Sequence, residues 1–298
     1  MPDLSQYSDK IEKQSMPDWL DPMLATLTHD HFDDEDWIYE RKWDGERAIV
    51  YKKSGKVRIM SRNKKQLNDT YPELEKAFEK LKQDNFIIDG EICTFKGDVT
   101  SFSRLQGRMK IKDREEAQKS PIAVYIYFID LLYLENYVLT KVPLRTRKSI
   151  MKEVFAFEDP LRFTIHRNKE GLKYFDEACK KGWEGLIAKD GNSEYVYGRS
   201  KKWLKFKCVN RQEFVIGGFT DPEGEREGFG ALLIGYYQDK ELKYAGKVGT
   251  GYDDDLLKTL SEKMKKIETT EKPFRDDGIK TKNVHWIEPK LVGEVSFT

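Results

Sequence analysis

The stretch Glu40-Arg41-Lys42-Trp43-Asp44-Gly45-Glu46-Arg47 lies between two apolar runs, Trp37-Ile38-Tyr39 and Ala48-Ile49-Val50-Tyr51. Both runs have the aromatic and β-branched content of strands, so the charged segment is expected at a strand end, as the turn of a hairpin. A lysine two residues before Asp-Gly can serve as a nitrogen nucleophile if the turn faces a cleft. Gly45 allows a tight turn and close approach by a ligand. Arg47, five residues past Lys42, is placed to hold a phosphate or a ribose. A hairpin with a solvated, charged turn has the same local pattern, so the rest of the chain must decide.

The 298 residues are 38% hydrophobic and 12% aromatic, enough for two domains with their own cores. Lys+Arg number 53 and Asp+Glu 52, a net charge of +1 that excludes a simple polycation. A nucleic-acid binder is not excluded, because the charge is segregated. Asp30, Asp33, Asp34, Glu35 and Asp36 form an acidic run, and Arg199, Lys201, Lys202, Lys205 and Lys207 a basic one. A local basic face binds phosphates whatever the average. Cys93, Cys179 and Cys208 are odd in number, and no two stand at metal-ligand spacing. They read as reduced, mostly buried thiols of a cytosolic protein. His29-Asp30-His31 has no companion at ligand spacing and reads as a polar loop rather than a metal site. The N-terminus is polar, with no apolar leader, and no run approaches a membrane span.

Residues 1–20 read as a polar, loose arm. Strands are then expected at Lys56–Met60, at Phe86–Phe95 with an interruption at Asp89-Gly90-Glu91, and at Ile122–Leu134, whose continuous apolar run implies burial on both faces. Helices are expected at Tyr71–Gln83, Ser101–Lys110, Pro143–Phe155 and Glu170–Lys181. The last would turn Leu172, Phe175 and Cys179 inward and be capped by Gly182. Gly185–Lys189 and Trp203–Lys207 are strands, the second with Lys205 and Lys207 on one face. Beyond Lys207 come short strands with Gly-rich turns and one helix, Asp253–Ile267, a pattern suited to a small β-barrel of the oligonucleotide-binding (OB) type.

Many charges of the first domain interrupt or end strands, where burial is costly unless a partner or ligand compensates. Six segments carry them in order: Lys42-Trp43-Asp44-Gly45, Ser61-Arg62-Asn63, Asp89-Gly90-Glu91, Tyr127-Phe128-Ile129-Asp130, Glu184-Gly185-Leu186-Ile187-Ala188-Lys189 and Lys205-Phe206-Lys207. In order and spacing these resemble the covalent nucleotidyltransferases: ATP-dependent DNA ligases, RNA ligases and mRNA capping enzymes. Ser101-Phe102-Ser103-Arg104-Leu105-Gln106, Pro143-Leu144-Arg145-Thr146-Arg147-Lys148, Phe214-Val215-Ile216-Gly217-Gly218 and Tyr244-Ala245-Gly246-Lys247-Val248-Gly249-Thr250-Gly251 resemble the ligase module of bacterial ligase D-type enzymes. The resemblance implies an α+β fold: a nucleotidyltransferase (ATP-grasp-like) domain over residues 21–209, followed by an OB-fold β-barrel over residues 210–298. It implies Lys42 as the residue that carries AMP, with Glu40 at the adenine edge and Phe128 stacked on the base. Arg47, Arg62 and Glu91 would hold ribose and phosphate, and Lys205 and Lys207 the α-phosphate. Relatives often put the aromatic directly before the aspartate, where this chain has Ile129. Glu91 and Glu184 are implied as carboxylates for Mg²⁺, with Mn²⁺ an alternative, and Arg199, Lys201 and Lys202 as contacts to nicked duplex DNA.

An amine must shed its proton before it attacks, and a site rich in carboxylates opposes that loss. A divalent cation and neighbouring lysines are therefore required beside the nucleophile. The expected reaction is ATP-dependent sealing of nicks by a cytoplasmic monomer (nucleoid-associated if bacterial), with a DNA-end-binding partner of the Ku type, as some ligase D proteins use. The alternatives are an RNA ligase or capping enzyme, or a nick-binding module with impaired self-adenylation. The last expectation follows from the end of the chain at Thr298. No residue matches the family's C-terminal basic motif, which contacts the β- and γ-phosphates, so self-adenylation is expected to be slow while sealing of a pre-adenylated nick persists.

Overall fold

The computed structural model describes residues 10–208, 210–222, 224, 226–275, 279 and 283–297. The chain divides into two compact units, Met1–Cys208 and Val209–Thr298.

The first unit is built on two sheets. One has the order Glu12–Lys13, Tyr137–Val138, Tyr125–Leu134, Phe86–Cys93, Glu46–Lys53, Lys56–Ser61, with Leu161–Phe163 added parallel to Tyr125–Leu134. The other has the order His166–Arg167, Trp37–Arg41, Gly185–Asp190, Gly198–Lys207, Met23–Leu27. Side-chain alternation sorts residues between three layers. Ala48, Val50, Ile88 and Phe128 pack with Leu74 and Phe78 of helix Pro72–Glu79 and Ile150 and Met151 of helix Leu144–Val154. Their neighbours Ile49, Tyr51, Ile87 and Ile129 point the other way and pack with Met23 and Trp203 of the second sheet. On the outside of that sheet, Tyr39, Leu186, Ala188 and Phe206 pack against Tyr174 and Ala178 of helix Gly171–Lys180.

The expected hairpin is a crossover instead. Trp37–Arg41 pairs with Gly185–Asp190 and His166–Arg167, whereas Glu46–Lys53 pairs with Lys56–Ser61 and Phe86–Cys93. Lys42 N donates to the Gly185 carbonyl at 2.9 Å, which holds the chain on the sheet of Trp37–Arg41 past that strand's last residue. A Cβ at Gly45 would collide with the Ile92 carbonyl oxygen and Cys93 Sγ, so only glycine lets the backbone enter the other sheet there.

Other expectations are corrected by packing. Residues 1–9 lie outside the described residues, but the remainder of the N-terminal arm is docked. Glu12–Lys13 pairs with Tyr137–Val138, Met16 and Leu20 are buried, and Leu20 N donates to Tyr51 Oη at 3.1 Å. Phe86–Cys93 is one continuous strand, its irregularity absorbed by register shifts against Tyr125–Leu134. Helix Gly171–Lys180 buries Gly171, Tyr174 and Ala178 and leaves Leu172 exposed. Helix Arg114–Lys119, capped by Asp113, has no apolar stripe that would announce it. Cys179 and Cys208 form a disulfide between the end of helix Gly171–Lys180 and the residue after strand Gly198–Lys207, while Cys93 is a buried free thiol. This corrects the reading of three reduced thiols. The pair is 29 residues apart, and only helix-on-strand packing brings it together.

The second unit is an antiparallel sheet in the order Glu241–Val248, Leu232–Gln238, Asn210–Thr220, Val284–Phe297, Glu268–Thr269. Helix Asp254–Lys265, capped by Asp253, sets Leu257 and Met264 against Ile216, Phe219, Leu232, Ile234 and Ile287. The last strand is one long element, Val284–Phe297, which shifts register around Pro289 opposite Ile216 and Gly218. Among the described residues the two edge strands are not hydrogen-bonded to each other, so the domain is OB-fold-like with an open sheet rather than a closed barrel.

Candidate active site

A cavity of about 500 Å³ opens in the first unit, and its lining includes Glu40, Lys42, Arg47, Arg62, Glu91, Arg199 and Lys205. The two sheets deliver these side chains from facing surfaces: Arg47, Glu91 and Ile129 from one, Glu40, Ile187, Lys189, Trp203 and Lys205 from the other. Lys42 stands where the chain leaves one sheet for the other.

Lys42 Nζ donates to Glu184 Oε2, and Lys207 Nζ lies 3.6 Å from Glu184 Oε1. Glu184 thus joins the nucleophile candidate to one of the two expected phosphate-binding lysines. Lys205 lines the cavity, its basicity lowered by burial and by Lys42, Arg199 and Lys207. Asp44 accepts from Phe102 N at 3.1 Å and so ties the Lys42 turn to the start of helix Phe102–Met109. Burial raises its carboxyl above the usual range despite that hydrogen bond.

Arg47 is gripped by Asp89 through both Nε and Nη2 and also donates to the Met23 carbonyl at 3.2 Å. Tyr195 Oη donates to the same carboxylate at 2.6 Å and accepts from Met23 N at 2.8 Å. A planar guanidinium held at two points presents its remaining face in a fixed direction. Glu91 is pushed up to about 7 by burial, with Asp89 and Glu184 adding and Arg47 and Lys42 opposing.

Glu40 is buried between two lysines. Lys148 Nζ is 2.5 Å from Oε1 and Lys189 Nζ 2.5 Å from Oε2. Burial works against the carboxylate's charge, but the two ammonium groups overcome it and hold Glu40 below the usual range. Burial and Lys148 pull Lys189 down to about 8 against the attraction of Glu40.

One expected residue is turned away. Phe128 is fully buried on the helical side of its strand, stacked on Phe78 at 5.5 Å, and does not line the cavity. Its neighbour Ile129 does, so the stacking expected of Phe128 is corrected. A strand buried on both faces gives no alternation from which to choose between the two. Sequence reasoning also missed Lys148, Tyr195 and Trp203. The first two act through Glu40 and Asp89, far along the chain. Among the basic run, Arg199 donates to the Ala25 carbonyl at 2.9 Å, Lys202 pairs with Asp190 at 2.9 Å, and Lys201 and Lys202 are exposed. His31 packs its ring on Phe175 and Phe206, and among the described residues no cluster of three or more His, Cys, Asp or Glu side chains is arranged to hold a metal. No helix among the described residues is long and apolar enough to cross a membrane.

Residues 22–207 match the family described as ATP dependent DNA ligase domain, and residues 225–298 the ATP dependent DNA ligase C terminal region. The chain belongs to the ATP-dependent DNA ligase family. It is similar to the multifunctional non-homologous end joining protein LigD of Pseudomonas aeruginosa, with 36% identity over 293 residues, 96% of this chain and 34% of that protein. To the non-homologous end joining DNA repair protein LigD of Mycobacterium tuberculosis it is 34% identical over 301 residues, 98% of this chain and 38% of that protein. The chain thus spans little more than a third of the length of these relatives. A solved structure of mycobacterial DNA ligase D complexed with ATP and MES matches with a TM-score of 0.59 and 31% identity, over 94% of this chain and 89% of that one.

Proposed function

We propose that this chain seals 5′-phosphate/3′-hydroxyl nicks in duplex DNA at the expense of ATP, through a lysyl-AMP and then a DNA-adenylate. The observation that carries the reading is the position of Lys42, at the crossover between two sheets and on the wall of a cavity that also presents Glu40, Arg47, Arg62, Glu91 and Lys205. Lys42 Nζ loses its proton and attacks the α-phosphorus of ATP. An N–P bond forms as the bond to pyrophosphate breaks. A 5′-phosphate oxygen of the nick then displaces Lys42 and takes the AMP, and the 3′-hydroxyl displaces AMP to close the strand.

Glu184 accepts from Lys42 Nζ and aims it, Lys205 and Lys207 offset charge on the α-phosphate, and Arg47, fixed by Asp89, meets the ribose-phosphate with Arg62. Ile129 takes the place against the base that Phe128 does not reach. The chain's own carboxylates fit a divalent cation in part. Glu91 lines the cavity and Glu184 stands beside Lys42, already paired with Lys42 and Lys207, so a cation there would share these two carboxylates with phosphate oxygens and its own waters, as Mg²⁺ does. Mn²⁺ fits the same set. Such an ion supplies charge neutralisation at the phosphates. Arg199, Lys201 and Lys202, with the OB-fold-like unit, grip the duplex backbone without reading sequence.

The test is incubation of the chain with ATP, magnesium and a nicked duplex, run beside the same nick with RNA strands. Sealing of the DNA nick with a transient 5′-adenylate supports the reading. Sealing of the RNA nick in preference would replace it by that of an RNA ligase.

A further inference from the structure

The backbone crosses from one sheet to the other at Lys42, and a stack of side chains beside it makes the same crossing. Trp183, the residue before Glu184, offers an indole face to Arg41, whose guanidinium carbon lies 4.3 Å from the ring centroid. Trp43, the residue after Lys42, meets the same guanidinium at 4.5 Å. Trp43 in turn stacks on Tyr127 of strand Tyr125–Leu134, with centroids 3.6 Å apart and planes 22° from parallel. Tyr127 Oη accepts from Arg162 Nη1 at 2.9 Å, and Asp159 holds Arg162 through both Nε and Nη2. Arg41 ends a strand of one sheet, Tyr127 stands in a strand of the other, and Trp43 lies in the crossover between them.

Arg41 lies on the opposite face of its strand from Glu40 and Lys42, the face of Tyr39 and helix Gly171–Lys180. It is only 8% exposed. Its one hydrogen bond among the described residues is long, 3.4 Å from Nη2 to the Asp98 carbonyl, and its Nε has no partner. A buried cation so poorly paired is costly where an apolar side chain would fill the same space. What a guanidinium adds is a rigid charged plane that two ring faces hold at once, more strongly for being out of water. Glu184 is already fixed by backbone pairing, since Gly185 is registered with Lys207 and Cys208 N donates to the Glu184 carbonyl at 3.1 Å. Lys42 instead leaves from a turn, past the last residue of its strand.

We propose that Arg41 is a positioning residue for the passage of AMP onto and off Lys42: clamped by Trp183 and Trp43, it fixes the crossover turn so that the Lys42 amine stays beside Glu184 and aimed into the cavity. The inference rests on the proposed ATP-dependent reaction and deepens it. Lys42 forms its bond to phosphorus as pyrophosphate leaves, and loses that bond as the 5′-phosphate of the nick takes the AMP. In the last step the 3′-hydroxyl attacks the adenylated 5′-phosphate and AMP departs, while Lys42 makes and breaks no bond. A clamp that acts through Lys42 is therefore felt in the first step and not in the last. A residue that only supports the core would be felt in both.

The experiment compares two single-turnover rates of the whole chain. One is self-adenylation with magnesium across ATP concentrations, and the other is sealing of a nick that already carries 5′-AMP, without ATP. The proteins are wild type, Arg41→Leu, Trp183→Leu and Trp183→Phe, each checked for folding by thermal melting. Misplacing the nucleophile should slow adenylation at saturating ATP by about tenfold to a hundredfold in Arg41→Leu and Trp183→Leu. In both, the KM for ATP and the rate of sealing the pre-adenylated nick should stay within about twofold of wild type, because only the step that uses Lys42 is impaired. Trp183→Phe keeps an aromatic face and should recover most of the adenylation rate. Trp183 is partly exposed, so its variants decide the matter if Arg41→Leu does not fold. Parallel losses in both rates, or undiminished adenylation in the folded leucine variants, would overturn the clamp while leaving the ligase reading intact. Absence of any covalent adenylate from wild type would overturn that reading itself.

Discussion

Lys42 and Glu184 are ion-paired although they come from opposite ends of the first unit, 142 residues apart in the chain. The contact exists because Lys42 N is bonded to the Gly185 carbonyl, one residue from Glu184, as the strand Trp37–Arg41 runs out. Backbone pairing sets the distance, and the side chains inherit it. The nucleophile's surroundings are therefore a property of sheet register rather than of the four-residue motif alone.

The two neighbours on the central strand should separate stability from nucleotide binding. Phe128→Ala empties a site in the helical core and should cost about 3–5 kcal/mol in urea unfolding, while leaving the KM for ATP nearly unchanged in the folded protein. Ile129→Ala should raise that KM about tenfold with a smaller loss of stability. A reversed pattern would restore the stacking role to Phe128.

The grip on Arg47 should be visible thermodynamically. Tyr195→Phe removes one hydrogen bond to Asp89 and one from Met23 N. It should cost about 1–3 kcal/mol. Asp89→Asn leaves Arg47 without its countercharge and should cost about 3–5 kcal/mol. If Asp89→Asn were as stable as wild type by denaturant titration, Arg47 would not depend on this carboxylate.

What could be read from the letters was the order of strands and the charges that end them: Lys42, Arg47, Glu91, Glu184 and Lys205 all reach one site. What could not be read depended on long-range packing. A hairpin and a crossover between sheets share the same local pattern, so Trp37–Arg41 and Glu46–Lys53 look like partners until their other edges are known. Phe128 and Ile129 are equally apolar, and both faces of their strand are buried. Lys148 meets Glu40 only because helix Leu144–Val154 lies against the sheet. Cys179 and Cys208 likewise meet through a helix and a strand with no signature in their spacing.

Stability should fall on acidification through His166. Burial and Lys148 hold its folded value down at about 4, below the unfolded value of about 6.5. The unfolded chain therefore takes up a proton that the folded one refuses. The neutral form's contribution is complete above pH 6.5 and is lost as pH drops toward 4. His166→Phe should narrow the stability difference between pH 7 and pH 4.5 by on the order of 2 kcal/mol. Equal losses in the two proteins, measured by denaturant midpoints at each pH, would mean that His166 charges freely in the fold.

DNA binding should be electrostatic and indifferent to sequence. Lys201→Ala should lower the slope of log affinity against log salt by about one. Lys202→Ala should lower it less, since Lys202 already pairs with Asp190. A fluorescence-anisotropy titration with nicked duplex across salt concentrations reads both, and a flat salt dependence in wild type would remove the basic run from the interface.

The account stands or falls on where the AMP goes. The chain is incubated with labelled ATP and magnesium, denatured, digested, and its adduct located by mass spectrometry, beside Lys42→Ala and Lys42→Arg. AMP on Lys42 in wild type and no adduct in either variant is the predicted result, because a guanidinium keeps the charge but stays protonated and cannot attack. AMP on another lysine, or an undiminished adduct in Lys42→Ala, would contradict it.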